Sequence, residues 1–410
     1  MTHTSDASQP VSGVDRRTRR NVVILSIAQA LYMTGAAIQI TISGLVGYSL
    51  ADDKSLATFP ITAYVLGTLI STIPASLFMR HVGRRRGFQL GTLMGITSAV
   101  LAVYAIFEWS FWLFCFALML AGTYQAFAQY YRFAAADTAS EDFRPKAISW
   151  VLLGGLVAAV AGPQIVIYTK DIFAPVLFAG AFAASAVTAF IGLMVTALID
   201  IPKAPATSPS GESPRPLRII LGQRKLKTAI FCGMVSYASM TFVMTATPLA
   251  MVACNHSVES AALAIQWHVL AMFMPSFFTG NLIARFGREP IILIGLLLLG
   301  CAGLVAVSGL ALWQFNLSLI LLGLGWNFGY IGSSTLVTDC HRPEERNKVQ
   351  AVNEFMVFGL VAVASFSSGK LLHNVGWETL TISYLPLVAL AAGLVLMLAI
   401  KGSDPKDLNP

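Results

Sequence analysis

The chain has 410 residues, of which 56% are hydrophobic and only 11% charged, where soluble proteins carry roughly a quarter charged residues. So few charges could not cover a soluble surface, and so much apolar content excludes disorder. The net charge of +7 does not point to nucleic acid, because Lys and Arg fall in short clusters between apolar runs, as in the loops of a polytopic membrane protein.

The first 20 residues are polar and end in Arg16, Arg17, Arg19 and Arg20. The apolar stretch that follows is too long for a cleavable signal peptide and lacks a small-residue cleavage site, so it is expected to stay in the membrane. A hydrocarbon core of about 30 Å takes roughly 20 helical residues. Twelve segments qualify: 21–45, 58–80, 88–107, 111–135, 146–169, 172–199, 227–252, 262–284, 289–310, 313–337, 347–372 and 378–401. They are too long for barrel strands and show no period-two alternation. Helices are the remaining way to satisfy a backbone in lipid.

With the N-terminus placed in the cytoplasm, all of the 27 Lys and Arg except Lys54, Lys170 and Lys370 fall on the cytoplasmic side. That bias predicts both termini inside and an even number of spans. Five prolines between 200 and 216, mixed with Ser and Gly, predict an extended linker over 200–226. The expected organisation is therefore an N-terminal tail (1–20), a six-helix bundle (21–199), a cytoplasmic linker (200–226), a second six-helix bundle (227–401) and a tail (402–410). The five cysteines show no CxxC or Cys/His spacing and are expected to be free thiols. No metal or cofactor site is expected.

The halves repeat. Gly83-Arg84 and Gly287-Arg288 lie 204 positions apart. Asp137, Arg144 and Lys146 precede Asp339, Arg346 and Lys348 by 202. Met33-Thr34 precedes Met240-Thr241 by 207. Agreement in order, offset and loop type indicates a duplicated six-helix unit, a parallel repeat about an axis along the membrane normal.

Here the chain resembles the major facilitator superfamily, from about residue 21 to 401. The carriers are GxLxxRxGR at Gly280–Arg288, its degenerate copy at Ser76–Arg85, the elements Glu141-Asp142-Phe143-Arg144 and Glu344-Glu345-Arg346, and Gly162-Pro163 in the fifth span. The Asp usual in the first loop motif is Arg80, and its counterpart is Ala284. The resemblance implies an all-α membrane protein of twelve transmembrane helices in two pseudo-symmetric six-helix bundles, working by alternating access. It further implies that Gly83, Arg84, Gly287 and Arg288 latch the cytoplasmic side, and that spans 1, 4, 7 and 10 line the central cavity.

On those four spans polar and aromatic residues accumulate, and the substrate-binding candidates are Tyr32, Gln39, Tyr124, Gln125, Tyr131, Tyr237, Trp326, Asn327 and Tyr330. Amides and phenols are costly against lipid, so they should face protein or cavity. Bonding between helices is the plainer alternative for each one. Arg132 and Glu354 are charges within spans, about 7 Å and 12 Å from the cytoplasmic ends at 1.5 Å per residue. They come from different halves and are expected to form an inner gate. Glu354 and His268 are the candidates for coupling to protons, although a buried, satisfied His is the commoner case. Gly91-xxx-Gly95 and Gly325-xxx-Gly329 should allow close helix approach.

A catalytic reading finds little support. Gly332-Ser333-Ser334 matches the GxSx of an intramembrane serine protease, yet His373 lies at the opposite edge, and no ATP-binding motif occurs. The chain is expected to be no enzyme but a monomeric secondary transporter of the inner membrane, with lipid and a small solute as its partners. An aromatic cavity with neutral hydrogen-bond groups favours a planar, neutral, hydroxyl-bearing molecule. The bacterial vitamin importers of the superfamily, riboflavin carriers among them, are similar in length and in lacking a mid-membrane acid in the N-terminal half. Uptake of such a vitamin is the favoured reading. Proton-coupled efflux of drugs or metabolites is the alternative, and an intramembrane enzyme is a remote one.

Overall fold

The computed structural model describes residues 16–137, 147, 150–151, 153–201, 215–342 and 345–401. Among these every regular element is a helix. The first half comprises α1 (Arg16–Leu50), α2 (Phe59–Val82), α3 (Arg84–Phe107), α4 (Phe111–Ala128), α5 (Tyr131–Asp137), α6 (Gly154–Thr169) and α7 (Ala179–Ala197). The second comprises α8 (Arg224–Ala253), α9 (Val258–Phe273), α10 (Ser276–Phe286), α11 (Arg288–Val307), α12 (Leu312–Thr338), α13 (Arg346–Ser383) and α14 (Leu385–Lys401).

Twelve passes emerge once three irregularities are resolved. The fourth span, expected unbroken over 111–135, is interrupted at Gln129-Tyr130 and continues as α5. The eighth, expected unbroken over 262–284, bends by 40° between α9 and α10. Pro275 sits at that break, where its ring and missing N–H cannot continue the helix. In α13, expected as two helices with a loop over 373–377, the only break is Gly376, at φ 78°. Glycine alone takes that conformation cheaply, and there the chain turns back. The returning segment packs on α11, with Trp377 Nε1 donating to the Ala306 carbonyl (3.1 Å) and Tyr384 Oη to the Leu299 carbonyl (2.8 Å). The sixth span is shorter than the expected 172–199, because 170–178 form turns before α7 begins.

Two glycines carry the repeat into the backbone. Gly83 (φ 93°, ψ 159°) ends α2 and starts α3, and Gly287 (φ 90°, ψ 170°) ends α10 and starts α11. Each permits a sharp reversal that a side chain would strain. The small-residue motifs also act as expected. A Cβ on Gly329 would meet Ser236 Oγ at 2.4 Å, and one on Gly295 would meet the Gly329 nitrogen at 2.2 Å. A Cβ on Gly95 would meet the Tyr124 ring at 2.4 Å.

We call the membrane side of Arg16, Gly83, Gly287 and Lys401 the near end and the side of Asp53, Lys170, Glu259 and Gly376 the far end. The hydrogen bonds and ion pairs that join the halves among the described residues cluster toward the far end. Thr58 Oγ1 donates to the Ser365 carbonyl (3.0 Å) and accepts from the Gly369 N–H (3.1 Å). Thr62 bonds Ser365 Oγ (3.2 Å), and Gln164 Nε2 donates to Gln266 Oε1 (2.9 Å). Lys170 bridges its neighbour Asp171 and Glu259 of the other half (2.9 Å). Near-end bonds within each half are also present. Arg17 and Asn21 hold Asp200, while Arg288 (2.7 Å) and Lys225 (3.5 Å) hold Asp339. The molecule is closed at the far end.

The expected extended linker folds where it is described. Residues Leu217–Ile220 form one helical turn, and Arg215 clasps Glu345 through Nε–Oε1 (2.6 Å) and Nη2–Oε2 (2.8 Å). The remaining linker residues and the side chains of Asp137, Glu141, Asp142, Arg144, Lys146, Glu344 and Arg346 lie outside the described residues. The five cysteines are free.

Candidate functional site

Two aromatic groups face the midline, one from each half. In the first, Tyr32 of α1 packs edge-on to Tyr124 of α4 (5.0 Å), and its hydroxyl meets Tyr64 Oη of α2 at 3.3 Å. These rings, with Gln39 of α1 and Ser185 of α7, line a narrow recess. Gln39 Nε2 donates to Ser185 Oγ (3.3 Å), while its Oε1 is buried without a partner. Gln125 accepts from Thr68 Oγ1 (2.8 Å), which links α4 to α2. Tyr131 is fully buried edge-on to Phe88 (4.7 Å), so its ring works as core.

The second group is larger. Tyr237 of α8 lies edge-on to Trp326 (5.5 Å) and Tyr330 (5.0 Å) of α12 and packs on Phe358 of α13 (5.5 Å). Trp326 and Tyr330 stack, with planes 20° apart at 5.3 Å, because i and i+4 share a helix face. Phe273, just before the Pro275 break, completes the cluster against Trp326 (6.1 Å). Trp326 Nε1 is a buried donor with no partner. Tyr237, Tyr330 and Phe358 also reach the core of the first half, so the two groups adjoin.

Asn327 takes no part in this surface. Its Nδ2 donates to the Met272 carbonyl (2.6 Å) and Ser276 Oγ (2.7 Å), and its Oδ1 accepts from Thr279 Oγ1 (2.6 Å). It braces the bend between α9 and α10. His268 is likewise enclosed. Its Nδ1–H donates to the Leu319 carbonyl (2.8 Å), which fixes the tautomer and ties α9 to α12. Among the described residues, no acid hydrogen-bonds to it.

Arg132 is exposed, with its guanidinium 4.8 Å from the Phe133 ring centroid. Glu354 lies one turn before Phe358 on α13 and is half-buried, and among the described residues its hydrogen-bond contact is a long one from Asn353 (3.5 Å). Among the described residues no ion pair joins the two charges. Gly83 and Gly287 set the turns between their helices, and Arg288 pairs with Asp339 (2.7 Å).

Tyr64, Phe273, Phe358 and Ser185 escaped sequence reasoning, which drew the cavity from spans 1, 4, 7 and 10 alone. One signal was available: Phe358 follows Glu354 by four residues and therefore shares its helix face.

A family model of the Major Facilitator Superfamily matches residues 25–231 and 229–410. The chain is 48% identical over 388 residues to a riboflavin transporter, RfnT, of Brucella anthropi, covering 94% of this chain and 97% of that protein. It is 28% identical over 383 residues to YddS of Bacillus subtilis, an uncharacterized MFS-type transporter (89% and 87% covered). Among solved structures, that of the nucleoside transporter NupG superposes with a TM-score of 0.74 at 13% identity, covering 92% of this chain and 99% of that one.

Proposed function

The chain belongs to the Major Facilitator Superfamily, and from that premise we propose that it is a secondary transporter that takes up riboflavin across the inner membrane. One observation carries the substrate: the near full-length 48% identity to a riboflavin transporter. The geometry supports it. A planar tricyclic ring suits the walls formed by Tyr237, Trp326, Tyr330 and Phe358, because aromatic faces stack offset or edge-on at 4.5–7 Å. Gln39 Oε1 and Trp326 Nε1, buried without partners, are an acceptor and a donor that a ring edge carrying carbonyls and an N–H can satisfy.

In this reading the near end, which carries the Lys and Arg excess, is cytoplasmic, and the far-end contacts seal the outside. The protein is then in its inward-facing arrangement. When the halves rock to open the far end, Arg132 and Glu354 approach and close the cytoplasmic side. Arg84 and Arg288, beside the turns at Gly83 and Gly287, hold neighbouring loops in place during that motion. The protein acts as a monomer and performs no chemistry on its cargo.

The test is growth and uptake. Expressed in a bacterial riboflavin auxotroph that lacks its own importer, the chain should restore growth on micromolar riboflavin and accumulate labelled riboflavin. Correctly inserted protein with neither growth nor uptake would refute the substrate. Lower accumulation than in cells without the protein would favour efflux instead.

A further inference from the structure

Two seams join the halves at the far end. One is made of neutral groups around Thr58, Thr62 and Ser365. The other carries charge. Lys170 Nζ reaches Glu259 Oε1 across the seam (2.9 Å) and also touches the carboxylate of its own neighbour, Asp171. One ammonium therefore stands between two carboxylates, one from each half.

Each group is fixed to its own half. The Lys170 N–H donates to the Val166 carbonyl at the end of α6 (3.0 Å), and the Lys170 carbonyl accepts from the Phe178 N–H (2.7 Å). A Cβ on Gly180 would meet the Thr169 carbonyl oxygen at 2.1 Å, so this turn is pressed onto the start of α7. Lys170 and Asp171 travel together with the first half. Glu259 travels with the second, in the first turn of α9, where the N-cap Ser257 Oγ accepts from the Ser260 N–H (3.1 Å). When the halves part, the contact to Glu259 breaks and the contact to Asp171 survives. Glu259 is left at a helix N-terminus, where free N–H groups and the helix dipole favour a negative charge. Opening thus strands neither charge, unlike the loss of one partner from a buried pair.

We propose that Lys170 is a switching latch: it bridges to Glu259 while the far end is closed and stays with Asp171 when the far end opens, so that Asp171 lowers the cost of opening. This rests on the rocking of the halves in the reading above and names groups that set its balance. Asp171 acts in two ways. It gives Lys170 a partner in the open state, and in the closed state its charge repels that of Glu259 on the other side of the same ammonium. A plain clamp has the opposite sign, because there Asp171 would hold the ammonium toward Glu259 and favour closure. The side chains of Asp171 and Glu259 are 56% and 42% exposed, so each contact shifts the balance by about two- to fivefold.

Spin labels at Trp109→Cys and Trp313→Cys, with the five native cysteines replaced, sit one on each half and exposed at the far end. Their separation in reconstituted protein, read by double electron–electron resonance, gives the ratio of closed to open molecules. Glu259→Gln should lower that ratio about two- to fivefold, and Asp171→Asn should raise it by a similar factor. The double variant should fall between the two. High salt should shrink both shifts, because half-exposed charges are screened. Both substitutions keep the side-chain shape, and opposite shifts cannot come from a common loss of fold. An Asp171→Asn ratio that stays put or falls, or a Glu259→Gln ratio that stays put or rises, overturns the proposal while the rocking stands. A single separation in the parent and in both variants, with and without riboflavin, refutes the rocking, and the proposal falls with it.

Discussion

Gly369→Ala should open the far end. Gly369 lies on α13 where it crosses the start of α2, and a Cβ there would meet Thr58 Oγ1 at 2.4 Å and Cγ2 at 2.9 Å. Thr58 cannot easily turn away. Its hydroxyl is held between the Ser365 carbonyl and the Gly369 N–H, and its β-branch restricts χ1. Relief by separation or rotation loses both bonds, at about 1 kcal/mol each, and overpacking adds about 1 kcal/mol more. These contacts join the halves only while the far end is closed, so the full cost of about 3 kcal/mol falls on that state. The population should shift toward the far-end-open state roughly 100-fold. The assay is alkylation by a membrane-impermeant maleimide of Leu45→Cys, in a background with the five native cysteines replaced. Leu45 packs with Ala57 and Leu249 behind the closure and is 9% exposed. Its labelling from the far end should rise at least tenfold in Gly369→Ala. It should not change in Gly393→Ala, where nothing lies within 4 Å of the added atom. Labelling within twofold of the parent, in folded protein, would refute the closure assigned to this crossing.

Three further outcomes follow from single contacts. His268→Asn keeps a donor for the Leu319 carbonyl, so the pH profile of uptake should match wild type; a displaced profile would make His268 a coupling group rather than a helix brace. Asn327→Leu removes three hydrogen bonds from the bend at Pro275, at a cost of about 2 kcal/mol, and should lower the apparent melting temperature by a few degrees; an unchanged melting curve would refute the bracing role. The Arg215 guanidinium holds the Glu345 carboxyl down to about 2 from its usual 4.5. The clip is therefore complete above pH 4.5 and is lost only as pH falls through about 2. Between pH 5 and 7 tryptic cleavage at Arg218 should follow only the intrinsic pH dependence of the protease, measured on an unstructured peptide, whereas Glu345→Gln should speed cleavage about tenfold at pH 7.

Class, span count and the repeat were legible in the sequence because lipid leaves the backbone few choices. A run of about 20 apolar residues can satisfy its own hydrogen bonds there only as a helix. The turns at Gly83 and Gly287 were legible for a similar local reason, since both sit between apolar runs beside arginines. Candidate site residues stood out on spans 1, 4, 7 and 10 because polar groups are conspicuous in apolar surroundings. Their roles were not legible. Asn327 and Trp326 are neighbours in sequence, yet one is used up bracing a bend and the other presents a free donor beside stacked rings. Which residue does which depends on the helix that passes each face, and a single helix's periodicity carries no record of that neighbour. The same reason hid Tyr64, Phe273 and Phe358, and it hid the closure itself. Thr58, Ser365 and Gly369 read as ordinary small residues along their own helices. Only the packing of one half against the other brought them within 3.1 Å and decided which end of the molecule is shut.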